Sequence, residues 1–113
     1  MKFDVRRVKI VVTVPVNNID SVRDSMCGAG AGVIGDYTYC STCGLCIGTF
    51  VPNINANPYI GTNGVMERVE EYRLEVVCEV DKVKSVVAEL RKSHPYEEPA
   101  IDIIPLIDES DFV

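Results

Sequence analysis

The residues of this chain best suited to chemistry are three closely spaced thiols. Cys40-Ser41-Thr42-Cys43-Gly44-Leu45-Cys46 reads C-x-x-C-x-x-C. Thiolates are soft ligands, and two of them separated by two residues on a turn can grip one zinc ion or one cluster iron. Cys78, Cys27 or His94, from the same or a neighbouring subunit, would then complete the coordination. Two features stand against such a site. Phe50 occupies the place where bacterial ferredoxin spacing puts a fourth cysteine. Residues three apart on a regular strand also face opposite sides, so Cys40, Cys43 and Cys46 converge only if a turn lies within the motif. A redox pair, Cys40 with Cys43 or Cys43 with Cys46, is a second reading. The plainest is that the three are small apolar side chains of a semi-buried hairpin.

A second constellation is His94-Pro95-Tyr96-Glu97-Glu98-Pro99-Ala100. His94 follows a helix, where a cationic imidazole is favoured by the dipole, and Pro95 forces the backbone before it to be extended. His94, Tyr96, Glu97 and Glu98 would form a polar cluster at a subunit cleft, able to hold a cation or orient a ligand. The competing reading is a rigid helix-to-strand connector. No partner nucleophile can be assigned, so general acid–base catalysis is not expected and the chain is read as non-enzymatic. The glycines at 28, 30, 32 and 35 suggest a phosphate loop, but they end a helix rather than open one, the wrong order for anion binding.

These residues must be positioned by a small set of elements. Val8, Ile10, Val12 and Val14 share one face of a strand, and Val11 on the other face marks it as central. Pro15 ends it. Asn17 or Asn18 is expected to cap a short helix with an Ile19, Val22, Met26 stripe. The same pattern returns from Tyr72 to Val80, where Tyr72, Leu74, Val76 and Cys78 alternate with Glu71, Arg73, Glu75 and Glu79 on a largely wet face. Asp81 then caps a helix striped by Val83, Val86, Val87 and Leu90. Val16 matches Val80, Ile19 matches Val83, Ser21 matches Ser85, and Met26 matches Leu90.

Between the halves, Val33 to Tyr39 and Ile47 to Val51 read as strands joined by a hairpin at Ser41 to Cys46, with Gly44 free to turn left-handed. Pro52 to Gly64 is a long turn-rich loop of the kind that serves function or packs on a partner, and Asn57 to Gly61 is read as packing between subunits. Ile101, Ile103 and Ile104 form a last strand that Pro105 confines to an edge. Asp108 to Val113 reads as a loose tail. The doubled unit predicts an α+β, ferredoxin-like βαββαβ sandwich, an antiparallel sheet with two helices on one face.

The chain of 113 residues is expected to be a single domain, and its 47% hydrophobic and 25% charged content is that of an ordinary globular protein. A net charge of −6, with basic residues scattered, argues against nucleic acid as partner. No run is long and apolar enough for a membrane span, and no export signal opens the sequence, so a cytoplasmic protein is expected. Five cysteines, an odd number, argue against a disulfide framework.

Gly30-Ala31-Gly32, Ile34-Gly35, Tyr37, Cys40-Ser41, Gly48-Thr49-Phe50, Pro52, Asn57-Pro58-Tyr59-Ile60-Gly61 and His94 to Ala100 together resemble one family. It is the domain inserted into YqfO-type (Nif-three-like) proteins, whose remainder is a dinuclear-metal α/β core. The resemblance runs from about Lys9 to Leu106. It implies a fold like CutA and the P-II signalling proteins, assembled as a homotrimer. It also implies a regulatory or binding role, with a divalent metal ion or small ligand held at subunit clefts. The chain looks like the inserted domain living alone. The core's metals are bound by histidines and carboxylates, whereas this sequence has one histidine, so the core's hydrolase chemistry ranks last. Cys43 and Cys46 depart from the family pattern.

Overall fold

The computed structural model describes residues 2–112. The elements run β1 (Arg7–Pro15), α1 (Ile19–Gly28), β2 (Thr42–Phe50), β3 (Glu67–Glu79), α2 (Val83–Ser93) and β4 (Ile101–Leu106). The sheet order is β2-β3-β1-β4, and every neighbouring pair is antiparallel. This is the expected ferredoxin-like sandwich. β1 is central, as Val11 indicated, and Pro105 sits on edge strand β4 opposite Val8, where a missing N–H costs no ladder bond.

The core lies between one face of the sheet and both helices. Ile10, Val12 and Val14 of β1 and Leu74 and Val76 of β3 pack with Val22 and Met26 of α1 and Val86 and Leu90 of α2, all essentially sealed from solvent. Each such side chain contributes about 1.5–3 kcal/mol by leaving water. The duplication extends to detail. Both helices are entered through a 3₁₀ turn, Val16–Asn18 in one half and Val80–Lys82 in the other. Ser21 Oγ then donates to Asn18 O, and Ser85 Oγ to Lys82 O, each at 3.1 Å. These turns replace the expected caps: no side chain of Asn18 or Lys82 bonds the helix start, and Asp81 lies inside its turn.

The middle of the chain differs from expectation. Residues 33–39 form no strand; Ile34 and Tyr37 close a tight turn, and the backbone is left-handed at Gly32, Gly35 and Tyr39, which no strand can accommodate. Gly32 is obligatory, because a Cβ there would lie 2.8 Å from Cys40 O. Thr42 to Cys46 of the expected turn at Ser41 to Cys46 are instead the first half of β2, with Gly44 paired to Arg73. β2 and β3 are joined by residues 51–66, so the long loop is the hairpin connection. The tail is also tied down. Asp108 receives Arg7 at 3.0 Å, Asp111 receives Arg6 at 3.2 Å, and Glu109–Asp111 is a 3₁₀ turn. Val113 of that expected tail lies outside the described residues.

β3 begins four residues before its pairing with β1, so Glu67 to Glu70 and their β2 partners project as a two-stranded arm. The molecule is accordingly elongated, 52 × 30 × 24 Å. On the helix side of the β2 edge, Leu45 and Ile47 are 70% and 59% exposed.

Candidate functional site

The face of the sheet opposite the helices carries Thr13 of β1, Glu71 and Arg73 of β3, and Cys46, Gly48 and Phe50 of β2, all brought together by the strand register. At one end this face is walled by the loop 51–66 and by the connector from α2 to β4. The result is a cleft of about 590 Å³. Pro52, Tyr59, Tyr96, Glu97 and Glu98 line it alongside the strand residues. The two walls touch where Asn57 N–H donates to Glu97 Oε1 at 3.3 Å.

A hydrogen-bonded chain runs beneath the cleft. Tyr96 N–H donates to His94 Nδ1 at 3.1 Å, so the ring proton sits on Nε2, which donates to Thr13 O at 2.8 Å. Tyr96 Oη donates to Glu71 Oε2 at 2.9 Å. His94 and Glu71 are the two buried polar side chains among the described residues. Burial pushes the His94 pKa down, opposed by the Thr13 carbonyl and the Glu71 charge. Burial pushes the Tyr96 phenol up, and its bond to Glu71 adds to the shift, so Tyr96 stays a donor. With both ring nitrogens engaged, His94 fixes the connector rather than offering a free base. Tyr96 in turn is flanked by Phe50 and Tyr59, whose ring centroids lie 6.0 and 6.3 Å away.

The sequence-based cluster of His94, Tyr96, Glu97 and Glu98 is therefore brought together: three members line the cleft, and His94 braces it from below. Glu71 was missed; strand alternation put it on a wet face, whereas it is 4% exposed. Its burial depends on Gly48, since a Cβ at that position would overlap Glu71 Oε1. Phe50 and Tyr59 entered the sequence reading only through the family resemblance, Tyr59 also in a loop read as packing between subunits, and Arg73 only as a wet-face strand residue; the structure puts all three in the lining of the cleft.

The thiols are dispersed. Cys40 precedes β2, Cys43 points to the helix side of the sheet, and Cys46 points into the cleft. No group of three or more His, Cys, Asp or Glu among the described residues is placed to hold a metal ion. A metal centre within one chain therefore does not fit these residues. Cys27 and Cys78 are buried, and burial raises both thiol pKa values, which makes them inert packing groups.

The strand order and helix placement are those of the CutA fold. CutA from Archaeoglobus fulgidus, described as a periplasmic divalent cation tolerance protein, superposes with a TM-score of 0.65 at 19% identity, covering 88% of this chain and 83% of that one. In sequence, the chain matches one segment of larger proteins. It is 46% identical over 103 residues to the GTP cyclohydrolase 1 type 2 homolog of Halalkalibacterium halodurans, covering 91% of this chain and 28% of that protein. The Bacillus subtilis homolog is 44% identical over 98 residues, 87% of this chain and 26% of its own length. A Bacillus cereus protein related to NIF3 superposes with a TM-score of 0.80 at 36% identity, covering 95% of this chain and 27% of that one. The resemblance to YqfO-type proteins thus holds over nearly the whole chain, which spans little more than a quarter of the length of these relatives. No family model matches it. No helix among the described residues is long and apolar enough to cross a membrane.

Proposed function

We propose that this chain is a ligand-binding or regulatory module of CutA/P-II type, acting without catalysis of its own and working as a homotrimer. The observation that carries the reading is the cleft, an open cavity floored by a buried, hydrogen-bonded carboxylate and walled by aromatic rings. Such a cavity, mostly apolar with a few convergent polar groups, is what small-molecule sites look like. Glu71 and Glu97 each accept a hydrogen bond, and the thiol that lines the cleft, Cys46, is hydrogen-bonded to no base among the described residues, which favours holding a ligand over converting it. A metal ion would need ligands from more than one copy, which makes a small organic ligand the better occupant.

Assembly is supported by the projecting β2–β3 arm. Leu45 and Ile47 are largely exposed, and the β2 edge offers unpaired backbone groups. An unprotected apolar edge of this kind is normally covered, and pairing around a closed symmetry axis covers it without open-ended growth. Light scattering on size-fractionated protein is expected to give three times the chain mass. A monomer at micromolar concentration would overturn the trimer. Replacing Ile47 by Lys, on the arm and far from the core, is expected to dissociate it.

A further inference from the structure

The groups around the cleft do not treat all ligands alike. Tyr96 is inclined at 59° to Phe50 and 54° to Tyr59, so three rings border one corner. Aromatic faces carry a negative quadrupole potential that attracts a cation and repels an anion. At the floor, Glu71 Oε2 is occupied by the Tyr96 hydroxyl. No donor among the described residues reaches Oε1, yet Oε1 is not sealed off, since no fully buried side-chain oxygen lacks a partner. Diagonally across from it, β2 carries Gly48, whose missing side chain makes the room this oxygen uses.

We propose that the cleft selects an organic cation, with a protonated alkylammonium group seated among Phe50, Tyr59 and Tyr96 and donating to Glu71 Oε1. This assignment rests on the cleft being a ligand site at all, and it adds the chemistry of the ligand. Three carboxylates, Glu71, Glu97 and Glu98, line the cleft against one guanidinium, Arg73, so the local charge also favours a cation. An anionic ligand would face that excess. A neutral apolar ligand would bury a carboxylate oxygen with no donor, which is costly. A bare divalent ion lacks the three converging ligands it requires.

The test is a matched series on the intact assembly: cyclohexylammonium, cyclohexanol and cyclohexanecarboxylate, followed through the ring resonances of Tyr59 and Tyr96. The ammonium is expected to bind about tenfold more tightly than the alcohol, and the carboxylate weakest of all. Glu71→Gln, which still accepts from Tyr96, is expected to abolish the preference for ammonium over alcohol. Tyr59→Leu, at the exposed rim, is expected to weaken the ammonium about threefold without disturbing the fold. Equal or tighter binding of the alcohol or the carboxylate would overturn the cation assignment while leaving the cleft a ligand site. If none of the three moves either tyrosine, the ligand-site reading falls as well.

Discussion

The two sides of the sheet are buried by different physics. Under the helices, the sealed side chains are Ile10, Val12, Val14, Val22, Met26, Leu74, Val76, Val86 and Leu90, none of which needs a particular partner. Beneath the cleft, the sealed side chains are Glu71 and His94, and each depends on one or two named atoms. Apolar burial is non-directional and scales with area, so it tolerates exchange of like for like. Polar burial is conditional, because a group that loses its partner keeps its desolvation cost. A protein under selection for stability alone has no use for the second arrangement. Beside an open cavity, it is the arrangement that the proposed ligand site would call for.

The comparison breaks most visibly in the core. Leu90, fully sealed at the contact between α2 and α1, leaves a cavity when shortened. Leu90→Ala is expected to cost about 3 kcal/mol in urea unfolding while leaving the Tyr96 ring resonances in place. A loss below about 1 kcal/mol would mean the helix layer is not what holds the sheet. The next effect belongs to the cleft. Tyr96→Phe removes the only donor to Glu71 among the described residues and is expected to cost about 2 kcal/mol. Adding Glu71→Gln to that variant removes the stranded charge and should restore part of the loss, a coupling that a purely packing role for Tyr96 would not show.

The same contrast explains what could be read from the sequence. Val8 to Val14, Tyr72 to Cys78 and the two helix stripes were legible because amphipathic period is a local property, and the match of Ser21 with Ser85 extended it to the duplication. The cleft is a matter of register. Gly48 lies diagonally across from Glu71 only because β2 pairs Cys46 with Glu71, and alternation around Glu71 is indistinguishable from that of a wet strand face. The strand expected from Val33 to Tyr39 failed because left-handed residues at Gly35 and Tyr39 interrupt a stretch whose composition suits a strand. The cysteine motif was misplaced for a related reason. Gly44 suggested a turn, but it lies mid-strand, where the absence of a side chain leaves pairing intact. The connector His94 to Ala100 was visible as a run of polar residues, while the oxygen that Tyr96 serves, on Glu71, lies in another part of the chain.

The gentlest way to separate the two sides is pH, since the core contains no group that titrates below neutrality. His94 is held neutral, with Nδ1 accepting from the Tyr96 amide, and its pKa lies below the ordinary 6.5. The unfolded chain therefore takes up a proton from about pH 6.5 downward while the folded chain resists it. Between the ordinary value and the lowered one, the unfolded state binds more protons, so stability is full above pH 6.5 and falls as the pH drops through that window. One proton limits the slope to about 1.4 kcal/mol per pH unit. The Asp108 carboxyl, lowered from 3.8 chiefly by its bonds to Ser110, begins to lose its contribution only in a more acidic range than the one in which the His94 window opens. His94→Gln should flatten the upper window and leave the lower one. Removing the Glu71 charge should push the His94 window further down, because that charge opposes the effect of burial. If stability instead rises between pH 7 and 5, Glu71 outweighs burial and His94 is a buried cation. The floor of the cleft would then be an ion pair already satisfied from within, with no unmet charge left to recruit a ligand.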